Sequence, residues 1–281
     1  MDVNKKGFHA KSNYITLEND GKHFILKKKY EEKLAAYDVK WPLSRCKVER
    51  ETLRLLEKRL MHHDCLAVPH IYPASVSMKN MIEMEYIDGQ TIYEFMSGAH
   101  ACISSSSDDH SGIDTQINAH MFQELFQFLY DLRTIMFFDL EKEFAEALHQ
   151  QDPIVRCMYH NKLKDQVRLV STGQGVFCLG DLSVHNMICR QDQLYLIDFE
   201  CAHFGYDGYD IGQLLGMCQA YANVFYNTQA KNIYDIVGEG FRLFIKEYAI
   251  PDAYVRLCER WKERFCEYYR NACIDTPCVD E

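Results

Sequence analysis

Two aspartates and an asparagine, Asp181, Asn186 and Asp198, have the residue types and spacing of a phosphoryl-transfer centre. Such a reaction needs one carboxylate to orient and deprotonate the attacking hydroxyl. It also needs an amide oxygen and a second carboxylate to hold Mg²⁺ against the phosphates. The intervening residues predict how the three come together. Residues 176–179 are apolar and strand-like, and Gly180-Asp181 ends them. Residues 187–189 are apolar again, Gln191-Asp192-Gln193 is a polar turn, and 194–197 form a second apolar run that ends in Asp198. All three polar residues therefore fall at strand edges, where the backbone turns. Any one of them alone is an ordinary turn cap. The spaced set carries the reading.

The letters around these residues add a resemblance. Gly180-Asp181-Leu182-Ser183 with Asn186, then Ile197-Asp198-Phe199-Glu200, then Tyr209-Asp210, resemble the aminoglycoside phosphotransferase and choline kinase group within the protein-kinase-like fold. The resemblance implies an α+β, two-lobed protein-kinase-like architecture. A small β-rich lobe would span residues 1–86 and a larger, mostly helical lobe 87–281. It implies an enzyme that moves the γ-phosphate of ATP (or GTP) to a hydroxyl of a small molecule such as a cationic amino alcohol, an aminoglycoside or a sugar. Asp181 would be the catalytic base, Asn186 and Asp198 the Mg²⁺ ligands, and Asp210 a brace for the catalytic loop. The chain departs from the group at Leu179, where a histidine is usual. The competing readings are a protein kinase and a catalytically weak nucleotide-binding scaffold. Asp-Phe-Glu in place of Asp-Phe-Gly, and the lack of a downstream Ala-Pro-Glu, count against the first. The intact set of three counts against the second.

Other elements must position this set. Residues 13–17 and 23–27 flank the turn signal Asn19-Asp20-Gly21 and predict a β-hairpin. In the resembling families such a hairpin covers the nucleotide, with residues 7–12 facing the phosphates. Strand alternation puts Ile25 and Lys27 on one face. Ile25 is then expected against adenine and Lys27 at the phosphates. A helix over 47–60, capped by Ser44, supplies the glutamate partner of that lysine. Glu49, aligned with Leu53, Leu56 and Leu60, is the first choice, and Glu51 the second. An apolar strand over 81–87 followed by Asp88-Gly89 resembles the hinge of kinase-like folds. There, backbone groups of Glu85 and Ile87 would bind adenine and Met84 would guard the back pocket.

The serine-rich stretch 97–116 reads as a flexible insertion. Long helices are expected over 117–138, over 140–170 with a break near Asp152-Pro153, and over 211–221, 233–248 and 253–270. This C-terminal region carries Tyr206, Tyr209, Tyr221, Tyr226, Trp261, Tyr268 and Tyr269. The resemblance to choline kinases implies that such aromatics can hold a quaternary ammonium. Amphipathic helices bury Tyr and Trp for packing in any case, and no substrate residue is assigned.

Composition narrows the partners. The chain has 281 residues, enough for a sizeable core. Its formal net charge of −10 argues against nucleic acid, whose phosphates call for a basic surface. No apolar run is long enough to span a membrane. Twelve cysteines include no CxxC pair, and Cys178, Cys189, Cys201 and Cys218 lie in apolar stretches, as reduced thiols in a cytoplasmic protein would.

Overall fold

A computed structural model describes residues 13–19, 24–30, 33–34, 39–40, 45–72, 80–98, 117–149 and 175–274. Strands β1 (Asn13–Asn19) and β2 (Phe24–Tyr30) pair antiparallel, with Asn19 opposite Phe24. A short ribbon, β3 (Lys33–Leu34) with β4 (Val39–Lys40), follows. Helix α1 (Arg45–Leu60) buries Glu49, Thr52, Leu53, Leu56 and Leu60, a stripe at three- and four-residue steps. After β5 (Leu66–Ala67), strand β6 (Met81–Glu85) adds to β2 with Lys27 opposite Glu83, so β2 is the central strand of three.

The second sheet has the order β5-β10-β9-β7, built from β7 (Gln90–Thr91), β9 (Met187–Arg190) and β10 (Gln193–Leu196) around the short β5. Between them, β8 (Val176–Cys178) pairs with β11 (His203–Gly205). The β9–β10 hairpin turns at Gln191, which has φ 54°, as the polar turn predicts.

Helix α2 (Ile92–Ser97) starts at a capping box of Thr91 with Glu94. Helix α3 (Ala119–Leu132) starts at Asn118, whose side chain accepts from the Met121 amide. It stops well before 138. The amides of Arg133, Thr134 and Ile135 turn to carbonyls three residues back, a tightening that ends the α-helix. The Arg133 side chain leaves to pair with Asp207 at 2.7 Å, lying over the rings of Tyr130 and Tyr254. Ile135 returns to the core while Met136 and Phe138 are exposed, so the apolar run that suggests one long helix splits between two environments.

Helix α4 (Lys142–His149) is the described part of the stretch expected as helix over 140–170; the break at Asp152-Pro153 lies outside the described residues, as do the 7–12 loop, Asp20-Gly21, the Ser44 cap and most of the serine-rich insertion. Three long helices close the chain: α5 (Tyr209–Phe225), α6 (Thr228–Glu247) and α7 (Asp252–Ile274). Each is longer than the sequence pattern marks. α5 and α7 approach closely because Gly212 and Gly216 face α7. A Cβ on Gly212 would lie 2.2 Å from that of Trp261, and one on Gly216 2.7 Å from that of Phe265. Among the described residues, no helix is long and apolar enough to cross a membrane. Cys178, Cys189 and Cys218 are buried free thiols and Cys201 is a half-buried one.

Candidate active site

The chain leaves β8 through Leu179-Gly180-Asp181, and the first turns of α5 hold this segment. Asp210 accepts from the Leu179 amide at 2.7 Å and from the Gly180 amide at 3.0 Å. Gly180 has φ 84°, and a Cβ there would lie 2.0 Å from the Cys201 carbonyl oxygen, so no other residue fits. Asp181 then presents its carboxylate between two amides. Gln213 Nε2 donates to Oδ1 at 3.2 Å, and Asn186 Nδ2 donates to Oδ2 at 3.2 Å and to the Asp181 carbonyl at 3.0 Å. The Ile197 amide donates to the Asn186 carbonyl at 3.0 Å, tying the loop to the end of β10.

Burial pushes the Asp181 carboxyl up to about 7, with the Asp198 and Glu200 charges adding, against the bonds from Asn186 and Gln213. A carboxylate with that proton affinity is matched to taking a proton from a hydroxyl near neutral pH. Burial likewise pushes Asp210 up to about 6 despite its two amide donors.

The second part of the site is a cluster of charges. Lys28 Nζ lies 2.7 Å from Glu49 on α1, 2.7 Å from Asp198 after β10, and 3.4 Å from Glu200. Arg45 pairs with Glu200 at 2.8 Å, and the Tyr30 hydroxyl donates to Glu49. Burial alone would lower the Lys28 ammonium, but Asp198, Glu49 and Glu200 together hold it well above the usual lysine range. Glu49 accepts from both Lys28 and Tyr30, the bonding of an ionised carboxylate, although burial pushes its proton affinity up to about 7. Asp198 itself has φ 64°, an uncommon conformation for a residue with a side chain, and it turns the chain out of the strand toward Lys28. Ligand oxygens of Glu49, Asp198 and Glu200 lie within 4.8 Å of one another, drawn together by the Lys28 ammonium that all three face.

These contacts correct the lysine expected from the sequence. Lys27 lies 3.3 Å from Glu83 on the neighbouring strand and does not reach Glu49. The strand runs on to Tyr30, and its face toward α1 carries Lys28 and Tyr30, with Leu26 packed against the core. Ile25 shares the other face with Lys27, so it is Leu26 that lies in line with Lys28. On α1, Glu49 points inward and Glu51 pairs with Arg54 at 2.9 Å. At the expected hinge, Met84 and Ile87 are buried. The Glu85 amide is taken by the His70 carbonyl at 2.8 Å and its side chain by Arg190 at 3.3 Å.

A family model described as the phosphotransferase enzyme family matches residues 4–247. The chain belongs to that family. It is therefore a phosphotransferase. A search of the curated proteins gave no significant match. Among solved structures it is similar to the amicoumacin kinase hAmiN in complex with AMP-PNP, Ca²⁺ and Ami, at 14% identity over 96% of this chain and 82% of that one, TM-score 0.49. It is also similar to a choline kinase from Cryptosporidium parvum, at 16% identity over 96% and 89%, TM-score 0.34. A third is the GDP and kanamycin complex of APH(2")-IIia, at 15% identity over 98% and 93%, TM-score 0.45.

Several side chains of this phosphotransferase's candidate site escape a reading by spacing alone. Lys28 and Tyr30 carry a signal that was present: Leu26, Lys28 and Tyr30 alternate with the other two lysines, so an apolar side chain stands on either side of Lys28 along the same face. Arg45, Glu200 and Gln213 carry none, because their partners are remote in sequence. Leu179 stands where the resembling group has histidine. Its side chain is buried and its amide is held by Asp210, so the loop is anchored through its main chain.

Proposed function

We propose that the protein transfers the γ-phosphate of ATP or GTP to a hydroxyl of a small molecule. The observation that carries this reading is the Lys28 ammonium at 2.7 Å from both Glu49 and Asp198, which joins the first sheet and α1 to the segment that follows the catalytic loop. In this reading the division between lobes falls at residues 86–87. The adenine lies near Met84, Glu85 and Ile87, and Lys28, rather than Lys27, contacts the phosphates. Asp198 and Asn186 hold Mg²⁺, which supplies charge neutralisation at the phosphates when bound. Their donor set fits the ion. Both groups offer hard oxygens, and Asn186 spends its Nδ2 on Asp181, which turns its amide oxygen to the other side.

Asp181 orients the acceptor hydroxyl and takes its proton late in a loose transition state, so its work is mainly positioning. The acceptor class is a cationic amino alcohol, an aminoglycoside or a sugar, and the net charge of −10 supports the cationic members. The buried free thiols support a reducing, cytoplasmic setting.

The test is a thermal-shift screen of ATP and GTP with Mg²⁺, crossed with choline, ethanolamine, aminoglycosides, sugars and nucleosides, followed by turnover of the best pair. A ligand at 100 times its dissociation constant adds about 2.7 kcal/mol. Asp181→Asn is expected to lower turnover by about 10²–10⁴-fold with nucleotide binding retained. Full turnover by that variant sinks the assignment of the base.

A further inference from the structure

Gln213 sits one turn beyond Asp210 on α5 and is fully buried. Its Nε2 donates to Asp181 Oδ1 at 3.2 Å and to the Tyr269 hydroxyl oxygen at 3.1 Å, so both amide hydrogens are used. Its Oε1 finds no hydrogen-bond partner among the described residues. A buried, unpaired amide oxygen is costly, and buried amides usually pair both ends. Turning the amide over would let Oε1 accept from the Tyr269 hydroxyl, but it would set Oε1 against the Asp181 carboxylate, lone pair against lone pair. This side chain is therefore kept for its donors. Two residues of one helix grip three consecutive residues of the loop: Asp210 takes the amides of Leu179 and Gly180, and Gln213 takes the side chain of Asp181.

We infer that Gln213 is a positioning residue for phosphoryl transfer, fixing the plane of the Asp181 carboxylate by donating to Oδ1 while Asn186 holds Oδ2. This rests on the reading of Asp181 as the base. Gln213 does not touch the reacting atoms; it acts through Asp181. With Oδ1 and Oδ2 tied to donors from different elements, the carboxylate cannot rotate about its Cβ–Cγ bond without losing one of them. Such a rotation is the small misplacement to which a proton acceptor is sensitive.

The experiment compares the parent, Gln213→Met, Asp181→Ala and the double variant. ADP release from ATP and Mg²⁺ is measured with water as the acceptor, and AMP-PNP with Mg²⁺ is titrated by calorimetry. Gln213→Met preserves length and volume and removes both donors. Its kcat is expected to fall about tenfold to a hundredfold, with the AMP-PNP affinity unchanged. In the Asp181→Ala background the same substitution is expected to be silent, because the group it acts through is gone. A Gln213→Met protein with parental kcat, one that loses nucleotide affinity in step with kcat, or one whose effect persists without Asp181 overturns the inference. If Asp181→Ala alone keeps parental turnover, the base assignment fails first, an outcome distinct from failure of Gln213 alone. Should Gln213→Met not fold, Gln213→Leu, shorter and without any donor, is carried through the same comparison.

Discussion

The two halves of the site are held by opposite means. Asp181 is fixed by neutral donors, Gln213 and Asn186, on a loop whose main chain hangs from Asp210. Lys28 is fixed by charged partners, Glu49, Asp198 and Glu200, with Arg45 balancing the last of these. Neutral hydrogen bonds fail one at a time, each with a modest net effect. A buried set of charges fails as a unit, because removing one member leaves the others uncompensated in a poorly solvated place. The loop should therefore respond to substitution through catalysis, and the charge cluster through stability as well.

The sharpest break of this contrast is Lys28→Met. It leaves Glu49, Asp198 and Glu200 facing one another, and a loss of about 3–5 kcal/mol in urea unfolding is expected, together with loss of the nucleotide-dependent thermal shift. Stability close to the parent's would show that the cluster is not held by charge.

Next comes pH. Burial raises Asp210 to about 6 in the folded chain, above its ordinary value. A carboxyl raised on folding adds stability that is fully present below its unfolded pKa and is lost as pH rises through the folded one. Unfolding free energy is thus expected to fall by about 2 kcal/mol from this group between pH 4 and pH 7, and Asp210→Asn should flatten that slope. The measurement is a series of denaturant curves across that range.

Smaller effects sharpen the picture. Tyr30→Phe deletes one donor to Glu49, and a loss of about 1 kcal/mol or a little more is expected, read as a shift of the denaturation midpoint. Lys27→Met removes a partly exposed pair with Glu83, and a change within about 1 kcal/mol is expected, with turnover unaltered. The 27 and 28 variants, assayed side by side, test the choice of lysine directly.

The same contrast explains what could be read from the letters alone. Asp181, Asn186 and Asp198 lie on one local unit of strand, loop and hairpin, and alternation with turn residues is enough to foresee that they approach one another. Asp210 as a brace was also foreseen. Three consecutive lysines leave the parity of β2 open, and it is settled only by where the strand ends. Ending it at Lys27 selects the wrong face; its continuation to Tyr30 selects Lys28. Glu49 was readable because its helix has a clear apolar stripe. Gln213 was not, since it lies within an apolar helix and its role comes from a loop more than thirty residues earlier. The overrun of α3 to 138 has a similar cause. Helical spacing cannot register that Arg133 prefers Asp207.

The close contact of α5 with α7 places the last helix mechanically in series with the catalytic loop. The family match stops at residue 247, yet α7 (Asp252–Ile274) presses on the two glycines that lie just past Asp210. Trp261 and Phe265 therefore back the same helix whose first turns grip Leu179, Gly180 and Asp181. The last helix also reaches the candidate site itself, since the Tyr269 hydroxyl accepts from the same Gln213 amide that donates to Asp181, so α7 is a wall of that site as well as a support behind it.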